Sequence, residues 1–314
     1  MKIFVAGATG ALGQHLVPQL VANGHEVVGM TSKPEKQDLV RSLGARPVVA
    51  DALDPDAVAQ AVAQAEPEVI VHELTALSGS LSLRDFEGTF ALTNRLRTEA
   101  TDHLLAAGRA VGIERFVAQS FAGWPSARTG GAVTTEEDPL DPTPAEPMRS
   151  TLDAFRYLEG TVIGAGWTEG IVLRYGGFYG PGTNFSLPDG DMVEMIRKRK
   201  FPIVGAGTGV WSFIHIEDAA SATVAAIEHG RRGIYNVVDD DPAPVKEWLP
   251  GAASAVGARK PMRLPRWIGR IAAGEAAVVM MNEVRGASNA KAKRELGWKL
   301  RYPSWRQGFA DGLG

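Results

Sequence analysis

The feature that most constrains this fold is a glycine-rich segment close to the N-terminus. Three glycines, Gly7, Gly10 and Gly13, lie between a short apolar run at residues 3–6 and an apolar-periodic stretch at residues 11–22. This order predicts a strand, a tight turn and a helix. Because glycines let the backbone approach a phosphate and a helix N-terminus presents oriented N–H groups, the turn is predicted to cradle a pyrophosphate. The turn comprises Gly7, Ala8, Thr9, Gly10, Ala11, Leu12 and Gly13.

Strand and helix patterns alternate along the first half of the chain, which predicts a parallel sheet with crossover helices. Strands are predicted at residues 3–6, 26–30, 47–50, 69–72, 116–118 and 170–173, and helices at residues 11–22, 35–43, 55–64, 83–107 and 148–163. A further strand at residues 234–238 is predicted to rejoin this sheet. The fold class is therefore α/β, a Rossmann-like doubly wound parallel sheet at residues 1–175 with a smaller mixed substrate lobe at residues 176–314.

Composition excludes several classes of protein. The 314 residues include no cysteine, which excludes disulfides and thiolate nucleophiles, and the formal net charge of −3 gives no general attraction to nucleic acids or anionic membranes. The sequence has no Gly-x-Ser-x-Gly elbow, no His-Glu-x-x-His motif and no Walker loop, and its N-terminal apolar run is too short for a signal peptide. We therefore expect a cytoplasmic protein with a small-molecule substrate, no metal, no nucleic-acid partner and no membrane association.

The residues after the second predicted strand, Thr31, Ser32 and Lys33, include no acidic side chain. An acidic residue at this place would bind the ribose 2′-hydroxyl of NAD, whereas a cation with hydroxyl groups accommodates the 2′-phosphate of NADP. Lys33 supplies a single charge, and Glu35 lies close to it in sequence. The sequence therefore predicts a preference for NADP(H), with NAD(H) as the alternative.

The glycine spacing and several later segments resemble the short-chain dehydrogenase/reductase superfamily, and within it the NAD-dependent epimerase/dehydratase family. The glycine spacing is Gly-x-x-Gly-x-x-Gly, and the other matching segments are residues 49–53, 173–182, 212–220 and 233–237. The resemblance implies that Asp51 holds the adenine, that Asn94 organises the site, and that His215 and Asp218 are structural. The other cofactor contacts that we expect are Ala52, Leu74, Arg174, Tyr175 and Gly176.

The catalytic pair of this family, Tyr-x-x-x-Lys on one helix, is missing from the sequence. In such a pair the ammonium group lowers the pKa of a phenol, which is otherwise about 10. Glu159 resembles the family's Glu four residues past the Lys, and this alignment puts Thr151 at the Tyr position and Phe155 at the Lys position. None of the five tyrosines has a lysine four residues later. The predicted substitutes for the proton partner are Ser120, Tyr179, His72 and Tyr175.

The substrate pocket is expected to be walled by the irregular loop at residues 121–147, the loop at residues 176–188 and the C-terminal lobe. The predicted substrate contacts are Phe121, Trp124, Phe178, Tyr179 and Trp211. The leading hypothesis is an atypical NADP(H)-dependent oxidoreductase that moves a hydride between the nicotinamide and a carbonyl or alcohol carbon. Two alternatives stay open, a sugar-nucleotide epimerase or dehydratase and a non-catalytic dinucleotide sensor or regulator. A homodimer is compatible with all three.

Overall fold

The computed structural model describes residues 1–77 and 82–314. Its strands, in chain order, are β1 (Lys2–Ala6), β2 (Glu26–Thr31), β3 (Arg46–Val49), β4 (Val69–His72), β5 (Arg115–Phe121), β6 (Val133–Thr134), β7 (Glu169–Tyr175), β8 (Gly177–Tyr179), β9 (Ile203–Val204), β10 (Val210–Trp211), β11 (Phe213–His215), β12 (Gly233–Val237), β13 (Ala243–Pro244), β14 (Arg263–Leu264) and β15 (Gly286–Ala287). Seven of them form one parallel sheet in the order β12-β7-β5-β4-β1-β2-β3. The others pair two by two.

Helices cover both faces of this sheet. They are α1 (Ala11–Ala22), α2 (Gln37–Ser42), α3 (Pro55–Ala65), α4 (Phe86–Arg95), α5 (Thr101–Val111), α6 (Arg149–Gly164), α7 (Asp191–Arg197), α8 (Ile216–His229), α9 (Val245–Ala255), α10 (Arg266–Asn282), α11 (Ala290–Leu296) and α12 (Trp305–Asp311). The apolar side chains of α1, α8 and α11 pack on one face, and those of α3, α5 and α6 pack on the other. The predicted α/β fold, a Rossmann-like doubly wound sheet, is confirmed.

The central strands are apolar because both of their faces are covered. Ile3, Phe4, Val5 and Ala6 in β1 are all fully buried, and β4 is buried along its whole length. Alternate side chains of β1 go to opposite cores, so Ile3 and Val5 lie with α1 whereas Phe4 and Ala6 lie with α3 and α5.

Two predicted helices differ from the observed ones. The helix predicted at residues 35–43 is a 3-10 turn, Pro34–Lys36, followed by the short helix α2. The helix predicted at residues 83–107 starts at Phe86, after the side chain of Asp85 caps it by accepting from the Gly88 N–H. It continues through a π-helical turn, Leu96–Ala100, and α5, and it ends at Gly112, whose φ is 76°. A left-handed glycine is a common helix stop.

The helices α7, α9 and α12 form a second lobe with its own apolar core. Trp248 is fully buried in this core, among the apolar side chains of these helices. The chain returns from this part of the fold to the main sheet, because β12 pairs in parallel with β7. The helix α8 packs on α1 in the core of the main sheet. The domain boundary after residue 175 stays a prediction.

Among the described residues, none of the helices is long and apolar enough to cross a membrane.

Two residues at the start of α8 form hydrogen bonds that hold the C-terminal segment in place. The Asp218 carboxylate accepts hydrogen bonds from the backbone N–H groups of Arg301 and Tyr302, both at 2.8 Å. His215 accepts from the Glu217 N–H through Nδ1, so its Nε2 carries the proton and donates to the Gly312 carbonyl at 2.9 Å. Both side chains therefore serve the fold.

Candidate cofactor site and active site

The glycine turn after β1 lies directly against the segment that follows β4. Gly7 has a φ of 101°, and a Cβ on it would lie 2.8 Å from the carbonyl oxygen of Glu73. A Cβ on Gly13 would lie 2.3 Å from the carbonyl oxygen of Gly7. Only glycine fits at these two positions, so the turn presents bare backbone at the start of α1. This cradle fits a pyrophosphate group.

The residues predicted to bind the adenosine half lie at the carboxyl ends of β2 and β3. Thr31 is buried, and its Oγ1 lies 3.4 Å from Oγ1 of Thr9 and accepts a 3.2 Å hydrogen bond from the Lys33 N–H. Ser32, Lys33 and Asp51 are exposed. These groups lie next to the glycine turn, since β2 pairs with β1 and also with β3. Ala52 is buried in the core on the α3 face.

His72 and Glu73 follow each other but point to opposite faces of the sheet. The His72 ring is buried, and its Nδ1 accepts from the Leu74 N–H at 3.3 Å. Its Nε2 therefore donates, with the Leu96 carbonyl at 3.2 Å and Oγ1 of Thr101 at 3.1 Å as acceptors. Burial lowers the pKa of His72 to about 4, so the ring is neutral at pH 7. Both of its nitrogens are occupied.

Glu73 belongs to a buried chain of hydroxyl groups on the α8 face. Its Oε1 lies 3.1 Å from the hydroxyl of Tyr175, which lies 2.6 Å from Oγ1 of Thr223. Thr223 in turn donates to the Ala219 carbonyl at 2.8 Å. Burial raises the pKa of Glu73 to about 8, and its Oε2 has no partner in the described part of the chain. If Glu73 is protonated, its carboxyl group would donate to the Tyr175 hydroxyl, Tyr175 would donate to Thr223, and Thr223 donates to the Ala219 carbonyl.

The helix α6 carries the three residues that the sequence predicts at the family's Tyr, Lys and Glu positions. Thr151, Phe155 and Glu159 are each buried and one helical turn apart. Oε1 of Glu159 accepts a 2.7 Å hydrogen bond from Ser120. Arg174 binds the same carboxylate with Nε at 2.8 Å and Nη2 at 2.6 Å. The Ser120 and Arg174 side chains are therefore both held by α6.

Arg97, which is not among the predicted site residues, lies beside these positions. Asn94 donates to Oγ1 of Thr151 at 3.1 Å and accepts from Nη1 of Arg97 at 3.3 Å. The Arg97 guanidinium lies over the Phe155 ring, 3.9 Å from its centre. A buried cation thus lies against Phe155, the side chain predicted at the family's Lys position. A charged residue three positions after Asn94 on one helix was the available signal, because such residues share a face.

The predicted substrate contacts fall into two groups. Phe121 and Trp124 adjoin Phe155, with the Trp124 ring centre 6.2 Å from that of Phe121 and 5.6 Å from that of Phe155. Trp211 donates from Nε1 to the Met280 carbonyl at 2.8 Å and packs on Trp248 in the second lobe.

Tyr179 is fully buried in the second lobe, between His215 and Phe309. Its hydroxyl has no partner among the described residues, and a Cβ on Gly308 would lie 2.0 Å from it. Burial raises the pKa of Tyr179 above its usual value. Phe178 contacts Tyr175, with 5.4 Å between the ring centres, while a Cβ on Gly176 would lie 2.9 Å from the Ser212 carbonyl oxygen. The functional roles of these residues stay predictions.

Comparisons with known proteins agree with this architecture. The model of the NAD dependent epimerase/dehydratase family matches residues 3–238. A 3-diazoavenalumate denitrifying reductase of Streptomyces is 43% identical over 316 residues, covering 100% of this chain and 99% of that protein. A 4-hydroxy-2-methyl-3-oxo-4-farnesyl-3,4-dihydroquinoline-1-oxide ketoreductase of Stigmatella aurantiaca is 25% identical, covering 96% and 92%. A UDP-glucose 4-epimerase from Thermotoga maritima shares the fold, with a TM-score of 0.78 at 20% identity, covering 100% of this chain and 97% of its own.

Proposed function

Because the chain belongs to the NAD-dependent epimerase/dehydratase family, we propose that it is an NADP(H)-dependent reductase of a small diazo compound. The observation that carries this proposal is the 43% identity, along the whole chain, to a denitrifying reductase whose name contains a diazo substrate. Such an enzyme is an NAD(P)-dependent oxidoreductase, as the sequence predicts. The preference for NADP(H) and the diazo group are the proposed parts.

The missing Tyr-x-x-x-Lys pair supports a diazo substrate on chemical grounds. Reduction of a carbonyl group places a proton on oxygen, and enzymes position a donor for that proton. When hydride replaces an aromatic diazonium group, the carbon–nitrogen bond breaks, a carbon–hydrogen bond forms and N₂ leaves. The hydride supplies both the electrons and the hydrogen, so no proton donor is needed. Thr151 and Phe155, at the positions of the pair, are compatible with this reaction.

The residues of the main sheet edge would hold the cofactor along its length. The glycine turn would bind the pyrophosphate through backbone N–H groups, and Thr31 with Lys33 would bind the ribose 2′-phosphate. Asn94 and Thr151 lie farther along the same edge, beside β4 and β5, where the nicotinamide would lie. NADPH supplies a hydride when bound there. The surrounding aromatic side chains would exclude water from the reacting carbon.

The proposal is tested with NADPH that carries deuterium at the transferred position and with para-carboxybenzenediazonium as substrate. We expect the protein to release N₂ and to form benzoate with one deuterium on the ring carbon that carried nitrogen. The Gly13→Ala variant is the matched control for the direct reaction of the two reagents in solution, because it fills the cofactor cradle. Equal rates with the protein and with this variant would refute the proposal.

A second candidate function is reduction of a carbonyl group, which the 25% identity to a ketoreductase favours. This reaction requires a proton donor, and the predicted donors are Ser120, Tyr179, His72 and Tyr175. Replacing a true donor should lower turnover of an aromatic ketone far more than NADPH affinity. Turnover that survives Ser120→Ala, Tyr179→Phe, His72→Ala and Tyr175→Phe would eliminate these donors.

A further inference from the structure

Arg97 is a buried cation that has no anionic partner in the described part of the chain. The residue is 5% exposed, and it donates one hydrogen bond to a side chain, from Nη1 to Oδ1 of Asn94. Among the described residues it forms no ion pair, and residues 78–81 contain no acidic side chain. Burial lowers the pKa of Arg97 to about 9, with no carboxylate opposing the shift. An unpaired buried charge lowers the stability of a folded protein, so we expect Arg97 to pair with an anion that is not part of this chain.

Aromatic rings surround the Arg97 guanidinium. It lies 3.9 Å from the centre of the Phe155 ring and 5.9 Å from that of the Phe90 ring. Trp124 contacts Phe155 and Phe86, and Phe86 stacks on Phe90 at 4.5 Å between ring centres. Phe90 is only half-buried, so this cluster of rings is accessible to solvent at Phe90. A flat aromatic molecule could enter it with its plane against these rings.

The local backbone marks the same place. Arg97 lies inside the π-helical turn Leu96–Ala100, between α4 and α5. π-helical turns inside α-helices are rare and often lie at functional sites. Arg97 lies on the buried side of the helix, whereas the side chain of its neighbour Arg95 is 55% exposed and pairs with Glu99 at 2.8 Å. Two arginines two residues apart therefore have different surroundings, and within residues 1–77 and 82–314 the buried one pairs with no carboxylate.

The phosphates of the cofactor do not account for this cation. They belong at the glycine turn and near Lys33, which follow β1 and β2. Arg97 lies on the other side of β4, where it contacts α6 through Phe155. Its neighbours Asn94 and Thr151 lie at the proposed nicotinamide end, so the missing anion is expected on the molecule that reacts there.

We propose that Arg97 binds an anionic oxygen, a carboxylate or a phenolate, of an aromatic substrate that lies among Phe90, Phe121, Trp124 and Phe155. The proposal rests on the proposed function, because it puts the substrate at the nicotinamide end of a cofactor site. In this arrangement the guanidinium donates hydrogen bonds to the oxygen, and the rings contact the aromatic face. Arg97 would orient the substrate and would leave the hydride-accepting carbon free.

The test is the binding of benzoate and of its uncharged analogue benzamide to the protein saturated with NADP⁺, measured by titration calorimetry. We expect Arg97→Gln to weaken benzoate binding about tenfold or more and to leave benzamide binding within about twofold. Arg95→Gln, on the same helix, is the matched control and should bind benzoate as the unchanged protein does. Arg97→Lys keeps the charge and should give an intermediate affinity.

The outcomes separate this inference from the proposed function. Failure of the unchanged protein to bind NADP⁺ or NADPH would overturn the proposed function. If the cofactor binds but benzoate binds equally well to the unchanged protein and to Arg97→Gln and Arg97→Lys, only the role of Arg97 is wrong. Failure of benzoate to bind the cofactor-loaded protein would also overturn the role of Arg97. Thermal melting of each variant shows whether it is folded, and Arg97→Lys decides the matter if Arg97→Gln does not fold.

Discussion

The Ser120 hydroxyl donates a 2.7 Å hydrogen bond to the Glu159 carboxylate, the same carboxylate that holds Arg174 by two hydrogen bonds. The contact joins β5, β7 and α6 at the edge of the sheet where the cofactor would lie. Arg174 is 4% exposed and Glu159 is 5% exposed, so neither charge can be compensated by water.

Glu159→Gln should therefore destabilise the protein strongly. The substitution leaves the Arg174 guanidinium buried without an anion, which typically costs about 3–5 kcal/mol. Ser120→Ala removes one hydrogen bond to a charged group and should cost about 1.5–3 kcal/mol. Urea unfolding followed by circular dichroism measures both free energies. Equal losses for the two variants would contradict the central position that we give to the Glu159–Arg174 pair.

Gly13→Ala should abolish dinucleotide binding. Its Cβ would lie 2.3 Å from the Gly7 carbonyl oxygen, so the turn must move and its N–H groups lose their alignment. Gly131→Ala is the matched control, because a Cβ there meets no atom within 4 Å. NADPH titration followed by nucleotide fluorescence gives the affinities. A Gly13→Ala protein that binds NADPH normally would place the cofactor elsewhere.

Lys33→Gln should weaken NADPH binding about tenfold and leave NADH binding within about twofold, because it removes the charge that we propose faces the 2′-phosphate. Lys260→Gln, which changes an exposed lysine of the second lobe, controls for the overall change in charge. Paired calorimetric titrations with NADPH and NADH measure both effects. An equal loss for the two cofactors would mean that Lys33 does not contact the 2′-phosphate.

Glu73 should make the protein less stable as the pH rises toward 8. Its pKa is raised from 4.5 to about 8 by burial, so between these values the folded protein holds a proton that the unfolded chain has lost. The free energy of unfolding therefore falls with rising pH across this window, by at most about 1.4 kcal/mol per pH unit for one group. Burial raises the pKa of Asp239 to about 8 as well, and its contribution has the same sign.

The measurement is urea unfolding at several pH values between about 7 and 8, where His72 of the unfolded chain has lost most of its proton. Glu73→Gln should reduce the slope and leave the part that Asp239 contributes. Asp239→Asn is the complementary variant. An unchanged slope in Glu73→Gln would mean that Glu73 is ionised in the folded protein at neutral pH.

The sequence was sufficient to predict the sheet and the glycine turn. Buried parallel strands are short apolar runs, and a turn with three spaced glycines between a strand and a helix has few alternatives. β4 (Val69–His72) and α1 (Ala11–Ala22) have the predicted limits. The extension of β5 to Phe121 was missed, because residues 119–121 include the polar Gln119 and Ser120, and Ser120 is held from the helix side by Glu159.

The surroundings of the reacting groups were harder to predict, because they depend on contacts between distant parts of the chain. Arg97 is typical of a surface charge on an amphipathic helix, and its contact with Phe155 depends on the packing of the π-helical turn Leu96–Ala100 against α6. Tyr175 and Glu73 are 102 residues apart, so no local pattern links them. Conversely, Tyr179 looks like an active-site phenol in the sequence, but the second lobe encloses it completely.

The π-helical turn Leu96–Ala100 also determines how the two halves of its helix are oriented about their common axis. A π-helical turn holds about one residue more than an α-helical turn, and each residue of an α-helix advances about 100° around the axis. The side chains of α4 are thus rotated, relative to those of α5, by about a quarter of a circle or slightly more. Deleting one residue at Thr98 would cancel this rotation and turn Asn94 away from Thr151, with no change in the composition of either helix.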